Sequence, residues 1–368
     1  MLDKGLYPNA FCKILPDVAA GDEAFCNVLH ADTAGTKASL AYIYWKETGD
    51  TTVWHGVAQD AIVMNLDDMA CVGMVDDFML SNTITRNKHL IPGEVIAAII
   101  EGTVLFSDRM RDLGINIHNA GGETADVGDI VRTVDVGFTA FGRMRQDKLI
   151  VNNIKEGDVI VGYGSFGRAT YEDEYNSGMG SNGLTSARHD VLHKDYADKY
   201  PESYSGETPQ EFVYSGSRRL DEMIDVGGSS MPLGKLILSP TRTFVPSMRD
   251  MFEDMGQDRM HGIIHCTGGG QTKVSHFLPD GLCAVKDDLF ATPVLFDIIQ
   301  KESQADWKEM FQVFNMGVRL EVYVDPADAE AVVQHAMRYN IPAQVIGSVV
   351  ADDSAKVRLR TSYGEFSY

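Results

Sequence analysis

Asp32-Thr33-Ala34-Gly35-Thr36-Lys37 follows a short apolar segment, residues 26–31, that we predict to be a strand. The stretch places a carboxylate, two hydroxyls and an ammonium around a glycine. Carboxylate oxygens bind divalent cations, a lysine binds phosphate oxygens, and glycine lets the backbone approach a ligand closely. The same residue types are also common in ordinary turns. The stretch therefore indicates a phosphate and cation site only where other segments agree with it.

The composition is that of a globular protein with room for two domains. The chain has 368 residues, of which 44% are apolar and 23% are charged. A chain of this length buries a large core without disulfides or structural metals. The formal net charge is -21 and no basic run occurs, which disfavours nucleic acid and anionic membranes as partners. A small phosphorylated ligand is compatible with this charge, because local Lys, Arg and backbone N–H groups bind it.

The cysteines are scattered along the chain and none is spaced as Cys-x-x-Cys: Cys12, Cys26, Cys71, Cys266 and Cys283. Their odd number and their spacing favour a reducing compartment and argue against a zinc site. The sequence shows no apolar stretch of the signal-peptide or membrane-span type. We therefore expect a soluble, cytoplasmic protein.

Hydrophobic periodicity predicts a mixed α+β first half and an α/β second half. In the first half we predict strands at residues 28–31, 40–45, 77–85, 115–118 and 130–143, and helices at 55–72 and 92–113. In the second half we predict strands at 159–164, 262–266, 318–324 and 344–350, and helices at 243–255, 292–301 and 327–340. A polar stretch near 144–153 marks the boundary. We expect domains at 1–146 and 153–368, with a surface insertion around 195–232.

Three carboxylates lie in the predicted helix 55–72, namely Asp60, Asp67 and Asp68. Asp60 and Asp67 are seven residues apart and share one stripe of the helix. Acids in an otherwise apolar helix are costly to bury without a cation. One interpretation is a magnesium site formed with Asp32, because magnesium prefers carboxylate and phosphate oxygens. The alternative is a solvated helix face.

Two glycine-containing motifs follow predicted strands. Gly121-Gly122-Glu123-Thr124 predicts a turn whose carboxylate is either exposed or directed at a metal or a ligand amine. His265-Cys266-Thr267-Gly268-Gly269-Gly270 ends a strand and precedes a helix-like run, 271–278. Consecutive glycines leave backbone N–H groups free for an anion beside a helix start, although a flexible loop is the alternative. His265 is either a core histidine or a functional group beside this loop.

Several common nucleotide and hydrolase motifs are absent from the sequence. It has no Gly-x-x-x-x-Gly-Lys-Ser/Thr loop, no Gly-x-Gly-x-x-Gly that opens a helix, and no Gly-x-Ser-x-Gly elbow in strand–helix context. The sequence thus gives no support for a P-loop ATPase, a Rossmann dinucleotide site or an α/β-hydrolase.

Seven motifs, taken in order, resemble those of the aminoimidazole ribonucleotide synthetase family, also called phosphoribosylformylglycinamidine cyclo-ligases. The family pattern reads Asp-Gly-Val-Gly-Thr-Lys, Asn-Asp, Gly-Gly-Glu-Thr-Ala, Ser-Asn-Gly, Pro-Thr-Arg, His-x-Thr-Gly-Gly-Gly and Phe-Asn-x-Gly-Val. The chain carries the similar segments at 32–37, 67–68, 121–125, 181–183, 240–242, 265–270 and 314–318. The resemblance covers roughly residues 26–350, which is nearly the whole chain.

The resemblance implies a homodimer of two α/β domains that pairs through its first domains, with the active site in a groove between domains. It also implies a purine-biosynthesis ligase. In this family ATP activates the formyl oxygen of formylglycinamidine ribonucleotide, and an internal nitrogen then attacks and closes the imidazole ring. The products are aminoimidazole ribonucleotide, ADP and phosphate.

The site residues implied by the resemblance fall into four groups. The catalytic group is Lys37, Asp68 and His265. The ATP-binding group is Asp32, Thr36, Lys37, Glu123 and Thr124, and the ligands of Mg2+ are Asp32 and Asp68. The group that faces the ribonucleotide substrate is Ser181, Asn182, Gly183, Thr267, Gly268, Gly269 and Gly270.

The chain departs from the family pattern at several positions. Asp67 stands where the family usually has Asn, Gly180 where it usually has His, and Arg319 where a Gly usually follows Gly317-Val318. The segment before residue 26 is shorter than in the family, so we expect either a divergent branch or a start that lies upstream. The alternative functions are another ATP-using relative of the same fold, similar to selenophosphate synthetase or thiamine monophosphate kinase, or a nucleotide-binding regulator without turnover.

Overall fold

The computed structural model describes residues 4–368. In the first half of the chain it contains five strands and three helices. The strands are β1 (Ile14–Pro16), β2 (Phe25–Thr33), β3 (Phe78–Arg86), β4 (Ile117–Asp126) and β5 (Val134–Arg145). The helices are α1 (Lys37–Thr48), α2 (Val53–Ala70) and α3 (Gly93–Asp112).

These five strands form one sheet in the order β1-β2-β5-β3-β4. Neighbours are antiparallel except β3 and β4, which run parallel. One face of the sheet is buried against α1 and α2, since Val28, Val136 and Ile84 are inaccessible to solvent. On the opposite face, Leu29 and Met79 are exposed. The sheet is therefore covered on one side, and its other side is open in the single chain.

The second half contains a seven-stranded sheet, two small hairpins and seven helices. The strands are β6 (Val159–Gly164), β7 (Phe166–Gly167), β8 (Asn176–Ser177), β9 (Met223–Asp225), β10 (Ser230–Pro232), β11 (Gly262–His265), β12 (Leu282–Lys286), β13 (Val318–Val324), β14 (Ala343–Ala351), β15 (Val357–Thr361) and β16 (Gly364–Ser367). The helices are α4 (Leu184–Val191), α5 (Asp195–Lys199), α6 (Leu233–Ile237), α7 (Val245–Met255), α8 (Val294–Ser303), α9 (Trp307–Val313) and α10 (Ala329–Met337).

The large sheet has the order β11-β13-β6-β14-β12-β15-β16, and only β12 and β15 pair in parallel. Strand β13 lies between β11 and β6 and is buried along its whole length, including the charged side chains of Arg319 and Glu321. The predicted fold class, a mixed-sheet first domain and a larger α/β second domain, is confirmed. The boundaries 1–146 and 153–368 stay a prediction. Within the described part of the chain, every helix is too short or too polar to traverse a bilayer.

One predicted strand is wrong. Residues 40–45 belong to helix α1 (Lys37–Thr48), and nearly every side chain of its first two turns is buried. A helix that is buried on all sides loses the 3.6-residue alternation of apolar and polar positions, and a short apolar run of this kind cannot be distinguished from a strand by periodicity.

The predicted glycine turn at residues 121–124 is also wrong. Strand β4 continues through it to Asp126, beside β3. The register shifts opposite Ser81, and Gly121 has φ 93° there, so the two glycines form an irregularity inside the strand instead of ending it. The carboxylate of Glu123 consequently lies on an edge strand.

The segment predicted as a surface insertion, 195–232, packs on the first half of the chain. Lys199 Nζ lies 2.6 Å from Glu47 Oε1, and the Tyr200 ring packs edge-on against Tyr42 of α1. Arg132 donates to the carbonyl oxygen of Pro201 over 3.0 Å. The segment therefore bridges the two sheets.

Candidate functional site

The opening motif forms the connection between β2 and α1. Strand β2 ends at Thr33 and α1 begins at Lys37. The hydroxyl of Thr36 lies 3.1 Å from that of Thr185 in α4, so the connection rests on the start of a helix from the other half of the chain. Asp32 is half-buried, and one of its carboxylate oxygens accepts from the backbone N–H of Thr33 over 2.7 Å. The motif lies at the junction of the two halves.

Lys37 is fully buried at this junction. Its ammonium donates to Asp60 Oδ1 over 2.8 Å, to the carbonyl oxygen of Gly180 over 3.2 Å and to that of Ser239 over 2.6 Å. Burial lowers the pKa of Lys37 and raises the pKa of Asp60, so each charge depends on the other. The three ammonium hydrogens are thus used inside the protein, and the role of Lys37 toward ATP stays a prediction.

Two acids of α2, Asp60 and Asp67, bind groups from the second half of the chain. Asp60 Oδ1 also accepts from the backbone N–H and hydroxyl of Thr241, over 2.7 and 2.6 Å. Asp67 Oδ1 accepts from the hydroxyl of Thr243 over 2.6 Å and from the N–H of Phe244 over 3.2 Å. Both aspartates are inaccessible to solvent, which excludes the solvated helix face for them. Hydroxyl and amide donors, together with Lys37, bind Asp60 Oδ1 and Asp67, whereas Asp60 Oδ2 has no partner within residues 4–368.

Asp68 lies between two histidines from different halves of the chain. His265 Nδ1 is 2.7 Å from Asp68 Oδ1, and His30 Nε2 is 3.3 Å from Asp68 Oδ2. Burial alone would raise the pKa of Asp68, but the hydrogen bonds and charges of His265 and His30 hold it at about 2. The remaining nitrogen of His30 contacts Asn65 Oδ1 over 3.0 Å. A chain of polar contacts therefore runs from β11 through α2 to β2.

A magnesium site at Asp32 and Asp68 has only partial support from this geometry. Among residues 4–368, no group of three or more His, Cys, Asp or Glu side chains is placed to hold a metal ion. Both oxygens of Asp68 contact histidines, so part of its acceptor capacity is already used inside the protein. Asp32 and Asp68 are both partly exposed. Metal binding by the pair stays a prediction.

Glu123 and Thr124 lie apart from the other predicted site residues. Glu123 lies on the open face of the sheet. It is in register with Thr83, which is in register with Gly137, and Gly137 is in register with the exposed Thr33. Asp68 lies on the covered face, under β2. Thr124 follows on the same exposed edge strand. Within one chain, Glu123 and Asp68 are therefore on opposite sides of the sheet.

The two predicted substrate loops do lie together. A side-chain carbon at Gly268 would be 3.8 Å from Asn182 Nδ2, so the glycine loop and the Ser181-Asn182-Gly183 loop are neighbours. Thr267 follows β11 directly and is half-buried. Gly270 has φ 47°, and a Cβ there would be 2.4 Å from the carbonyl oxygen of Phe314. Only glycine fits at this close approach.

Two polar atoms at these loops are buried without a partner. They are the hydroxyl of Ser181 and Nε2 of His265, neither of which has a hydrogen-bond partner within residues 4–368. Buried polar atoms are nearly always paired, and unpaired ones are frequent at sites that act on ligands. The segments 32–37, 180–185 and 265–270 together form the candidate active site.

Sequence reasoning missed three residues that build this site. His30 precedes the opening motif by two residues, and strand alternation places its side chain on the same side as Asp32. Asn315 donates to the carbonyl oxygen of Gly178 over 2.8 Å and so holds the 180–183 loop. Thr241 binds Asp60. Asn315 and Thr241 belong to motifs that supported the resemblance, but the sequence alone gave them no role.

The structure also has a cavity of about 310 Å³ between α2, α3 and residues 171–176. None of the predicted site residues lines it. The candidate active site at the junction is therefore separate from this cavity.

Comparisons with known proteins agree across the whole chain. The N-terminal domain of AIR synthase related proteins matches residues 17–144, and the C-terminal domain matches residues 155–360. Phosphoribosylformylglycinamidine cyclo-ligase of Methanocaldococcus jannaschii is 32% identical over 90% of this chain and 79% of its own length. The enzyme of the same name from Alkaliphilus metalliredigens is 29% identical over 88% of this chain and 80% of its own.

Solved structures show the same fold at low sequence identity. Thermotoga maritima PurL complexed with FGAR has a TM-score of 0.54 and 16% identity over 94% of this chain. This chain spans 45% of that PurL chain. A HypE–HypF complex has a TM-score of 0.56 and 12% identity, with 99% of this chain and 95% of that chain covered.

The two matched domains account for most of the chain, in the same order as the two sheets of the structure. The curated relatives are named as cyclo-ligases, which are enzymes. The chain therefore belongs to the AIR synthase family of enzymes, which includes the phosphoribosylformylglycinamidine cyclo-ligases.

Proposed function

We propose that the protein cyclises formylglycinamidine ribonucleotide to aminoimidazole ribonucleotide in an ATP-dependent step. The observation that carries the proposal is the convergence of 32–37, 180–185 and 265–270 at one junction, although they are far apart in the sequence. Curated relatives at about 30% identity bear the name of this reaction. The single-chain geometry supports a groove with donors from both domains, which suits a ligand with phosphate and amide groups.

His265 is the residue we assign to proton movement. Asp68 accepts from its Nδ1 and thereby fixes the tautomer in which Nε2 is free to take a proton. Ring closure requires the attacking nitrogen to lose a proton, and Nε2 of His265 is a buried acceptor without a protein partner among residues 4–368. This arrangement follows the general rule that a third group orients a catalytic base.

The glycine loop and Asn182 are assigned to ligand binding. Gly268 and Gly269 have φ of 60° and 137°, a backbone conformation in which successive N–H groups can bind an anion. Asn182 lies beside them and provides both a donor and an acceptor. Mg2+, when bound beside Asp32, would neutralise phosphate charge.

One assay tests the proposal directly. Purified protein is incubated with ATP, Mg2+ and formylglycinamidine ribonucleotide, and the aromatic amine product and ADP are both measured. We expect ADP to form only when the ribonucleotide is present, with one product molecule per ADP. Equal ATP hydrolysis with and without the ribonucleotide, and no aminoimidazole formed, would contradict the assignment.

We further propose that the protein is a homodimer through the open face of the first sheet. Leu29, Phe141 and Met79 form a row across three paired strands, and Leu29 and Met79 are 56% and 47% exposed. Such a contiguous apolar row is unusual on a monomer surface, and a second copy of the same face would cover it.

The dimer is tested by its mass in solution. Light scattering at micromolar concentration is expected to give twice the chain mass of 40.5 kDa. Phe141→Lys should convert the protein to a monomer, whereas Ile130→Lys, at an exposed turn before β5, should leave the mass unchanged. A monomer mass for the unmodified protein would refute the proposal.

A cytoplasmic location is proposed on the state of the thiols. All five cysteines are buried and unpaired, as expected in a reducing compartment. Fractionation of cells that express a tagged chain would test the location, and recovery of the protein outside the cytoplasmic fraction would contradict it.

A further inference from the structure

The guanidinium of Arg319 is buried at the domain junction. Arg319 is the second residue of β13 and is 1% exposed. Its Nη2 donates to the carbonyl oxygen of Arg242, and its planar group lies 5.0 Å from the Phe244 ring. Its Nε has no hydrogen-bond partner within the described chain. A permanent cation in this position requires a nearby counter-ion.

Asp67 is the nearest carboxylate. Its Oδ2 lies 3.7 Å from Arg319 Nη2, and both side chains are almost inaccessible to solvent. The two residues come from different halves of the chain, since Asp67 belongs to α2 and Arg319 to β13. A buried ion pair of this kind is costly to break from one side, because the remaining charge stays uncompensated.

Gly180, which immediately precedes the predicted substrate loop, is also a neighbour of Arg319. Gly180 has φ 68°, and a Cβ there would be 3.6 Å from Arg319 Nη1 and 3.8 Å from Arg319 Cδ. The first side-chain carbon therefore fits, but a longer side chain in that direction meets the guanidinium. The carbonyl oxygen of Gly180 also accepts from Lys37 Nζ, so cations approach this residue from both domains.

Three departures from the family pattern thus meet at one place. Where the family usually has Asn, His and Gly, this chain has Asp67, Gly180 and Arg319. We propose that Arg319 is a positioning residue for the 180–183 loop, that it occupies the space of a side chain at Gly180, and that Asp67 is its counter-ion. The three substitutions then depend on one another, and together they place the basic group on β13 instead of on the loop. The catalytic consequence rests on the proposed function, whereas the coupling itself does not.

The coupling is tested with single and combined variants of the full chain. Gly180→His alone places an imidazole against the guanidinium, and Arg319→Gly alone leaves Asp67 unpaired. For each, we expect amide hydrogen exchange in residues 178–183 to rise at least ~10-fold, as in a loop released from its support. The triple variant Asp67→Asn/Gly180→His/Arg319→Gly should return exchange to within ~3-fold of the unmodified protein, because the parts fit again.

Gly157→His is the matched control for the glycine substitution. Gly157 also has a positive φ, 89°, but no heavy atom lies within 4 Å of its Cβ position. Its exchange at 178–183 should be unchanged. If Arg319→Gly fails to fold, Asp67→Asn/Arg319→Met removes both charges and still frees the loop. Unchanged loop exchange in that pair, or simple addition of the single effects in the triple variant, would overturn the proposal.

Kinetics separate positioning from general stability. Asp67→Asn/Arg319→Met should raise KM for formylglycinamidine ribonucleotide about 10-fold while KM for ATP changes less than about 2-fold, because only the loop that carries Asn182 moves. Equal changes in both constants would contradict a positioning role. If the unmodified protein forms no product, the proposed function fails, whereas the exchange data still decide on the coupling.

Discussion

Asp68 accepts hydrogen bonds from histidines of both domains, and its surroundings explain its charge. Two imidazoles within 3.3 Å keep a half-enclosed carboxylate ionised where burial alone would favour its protonated form. The same contacts orient His265 toward the groove. At the scale of single residues, the site therefore depends on a short polar chain more than on any one side chain.

Asp68→Asn should lower turnover by about 10²–10³, because the amide no longer fixes the tautomer of His265 that leaves Nε2 free to accept a proton. Asp76→Asn is the matched control. Asp76 precedes β3, at the end of the sheet away from the groove, and accepts from the N–H of Asn116 over 2.6 Å. Steady-state ring closure with both variants measures the difference. Similar rates for the two variants would show that Asp68 has no role in catalysis.

His30→Gln should destabilise the protein in a pH-dependent way. Burial alone would lower the pKa of His30, but Asp68 raises it above its usual 6.5. A raised pKa contributes stability below 6.5, and this stability is lost as pH rises through the folded value. The contribution of Asp68, whose pKa falls from 3.8 to about 2, is lost in acid. The two windows overlap between about pH 4 and 6.5.

Urea unfolding of His30→Gln and the unmodified protein, at several pH values, checks this window. The difference in unfolding free energy should be largest near about pH 5 and should shrink as the solution becomes alkaline. His89→Gln, at an exposed histidine, serves as the control. A difference that is constant across the pH range would exclude the proposed ion pair.

Single-residue predictions from the sequence succeeded in part. The sequence showed that three acids on α2 need compensation, since charge is costly in an apolar helix. It could not show that the partners of Asp60 and Asp67 are hydroxyls and amides some 180 residues away. Such partners leave no local pattern, because tertiary contacts are set by the packing of both domains.

At the scale of elements, the glycine loop after β11 illustrates how two motifs constrain each other. Gly270 lies against the carbonyl oxygens of Phe314 and Phe311, and Phe314 also packs on Gly183. The motif that contains Phe314 and Asn315 therefore packs against both substrate loops. A glycine loop that reads as flexible from sequence is held by backbone contacts in the structure.

Gly270→Ala should cost a further ~1–3 kcal/mol of unfolding free energy beyond the cost of a positive φ, since backbone carbonyls must move. Gly157→Ala provides the matched value. It has a positive φ in open space, so only the conformational cost of about 1 kcal/mol applies. Chemical denaturation of both variants gives the comparison. Equal losses of unfolding free energy in the two variants would show that a Cβ at Gly270 fits without displacing the backbone carbonyls.

Most elements were predictable from periodicity, and the exceptions share a cause. Helix α1 has buried residues all round, and β4 is an edge strand with an irregular register. In both, the apolar pattern that marks a helix or a strand is absent, because burial there is set by neighbours from elsewhere in the chain. The strands with a regular pattern, such as Val159–Gly164 and Val318–Val324, match their predictions residue for residue.

At the scale of the whole molecule, the two domains are joined by buried charges as well as by surface contacts. Lys37 and Asp60 form an inaccessible pair at 2.8 Å that also binds Gly180 and Thr241. Glu47 and Lys199 form a second pair between the halves, at 2.6 Å, but Lys199 is 60% exposed. Both are pairs of a lysine with an acid, but the first is fully buried and the second is partly exposed to solvent.

Lys37→Met should lower the free energy of unfolding by about 3–5 kcal/mol, because Asp60 stays buried without its cation. Glu47→Gln should cost less than about 1 kcal/mol, because solvent screens the exposed pair. Urea titration followed by intrinsic fluorescence measures both. A larger loss for Glu47→Gln than for Lys37→Met would reverse this ranking of the two contacts.

The two-part architecture could be predicted from the sequence, but the junction could not. The family resemblance implied an active site between domains. The contact between Asp67, Gly180 and Arg319 has no sequence signature, since each departs from the family pattern singly. Only the coordinates show that they are neighbours.

The partners of the α2 acids lie far downstream in the chain, so these contacts form late during synthesis. Domains generally fold from the N-terminus as they leave the ribosome. Asp60 and Asp67 meet Thr241 and Thr243 only after those residues have been translated, and Asp68 meets His265 later still. Until then these carboxylates stay hydrated on an unfinished nascent domain. A chain that ends before residue 265 therefore lacks the contact between His265 and Asp68.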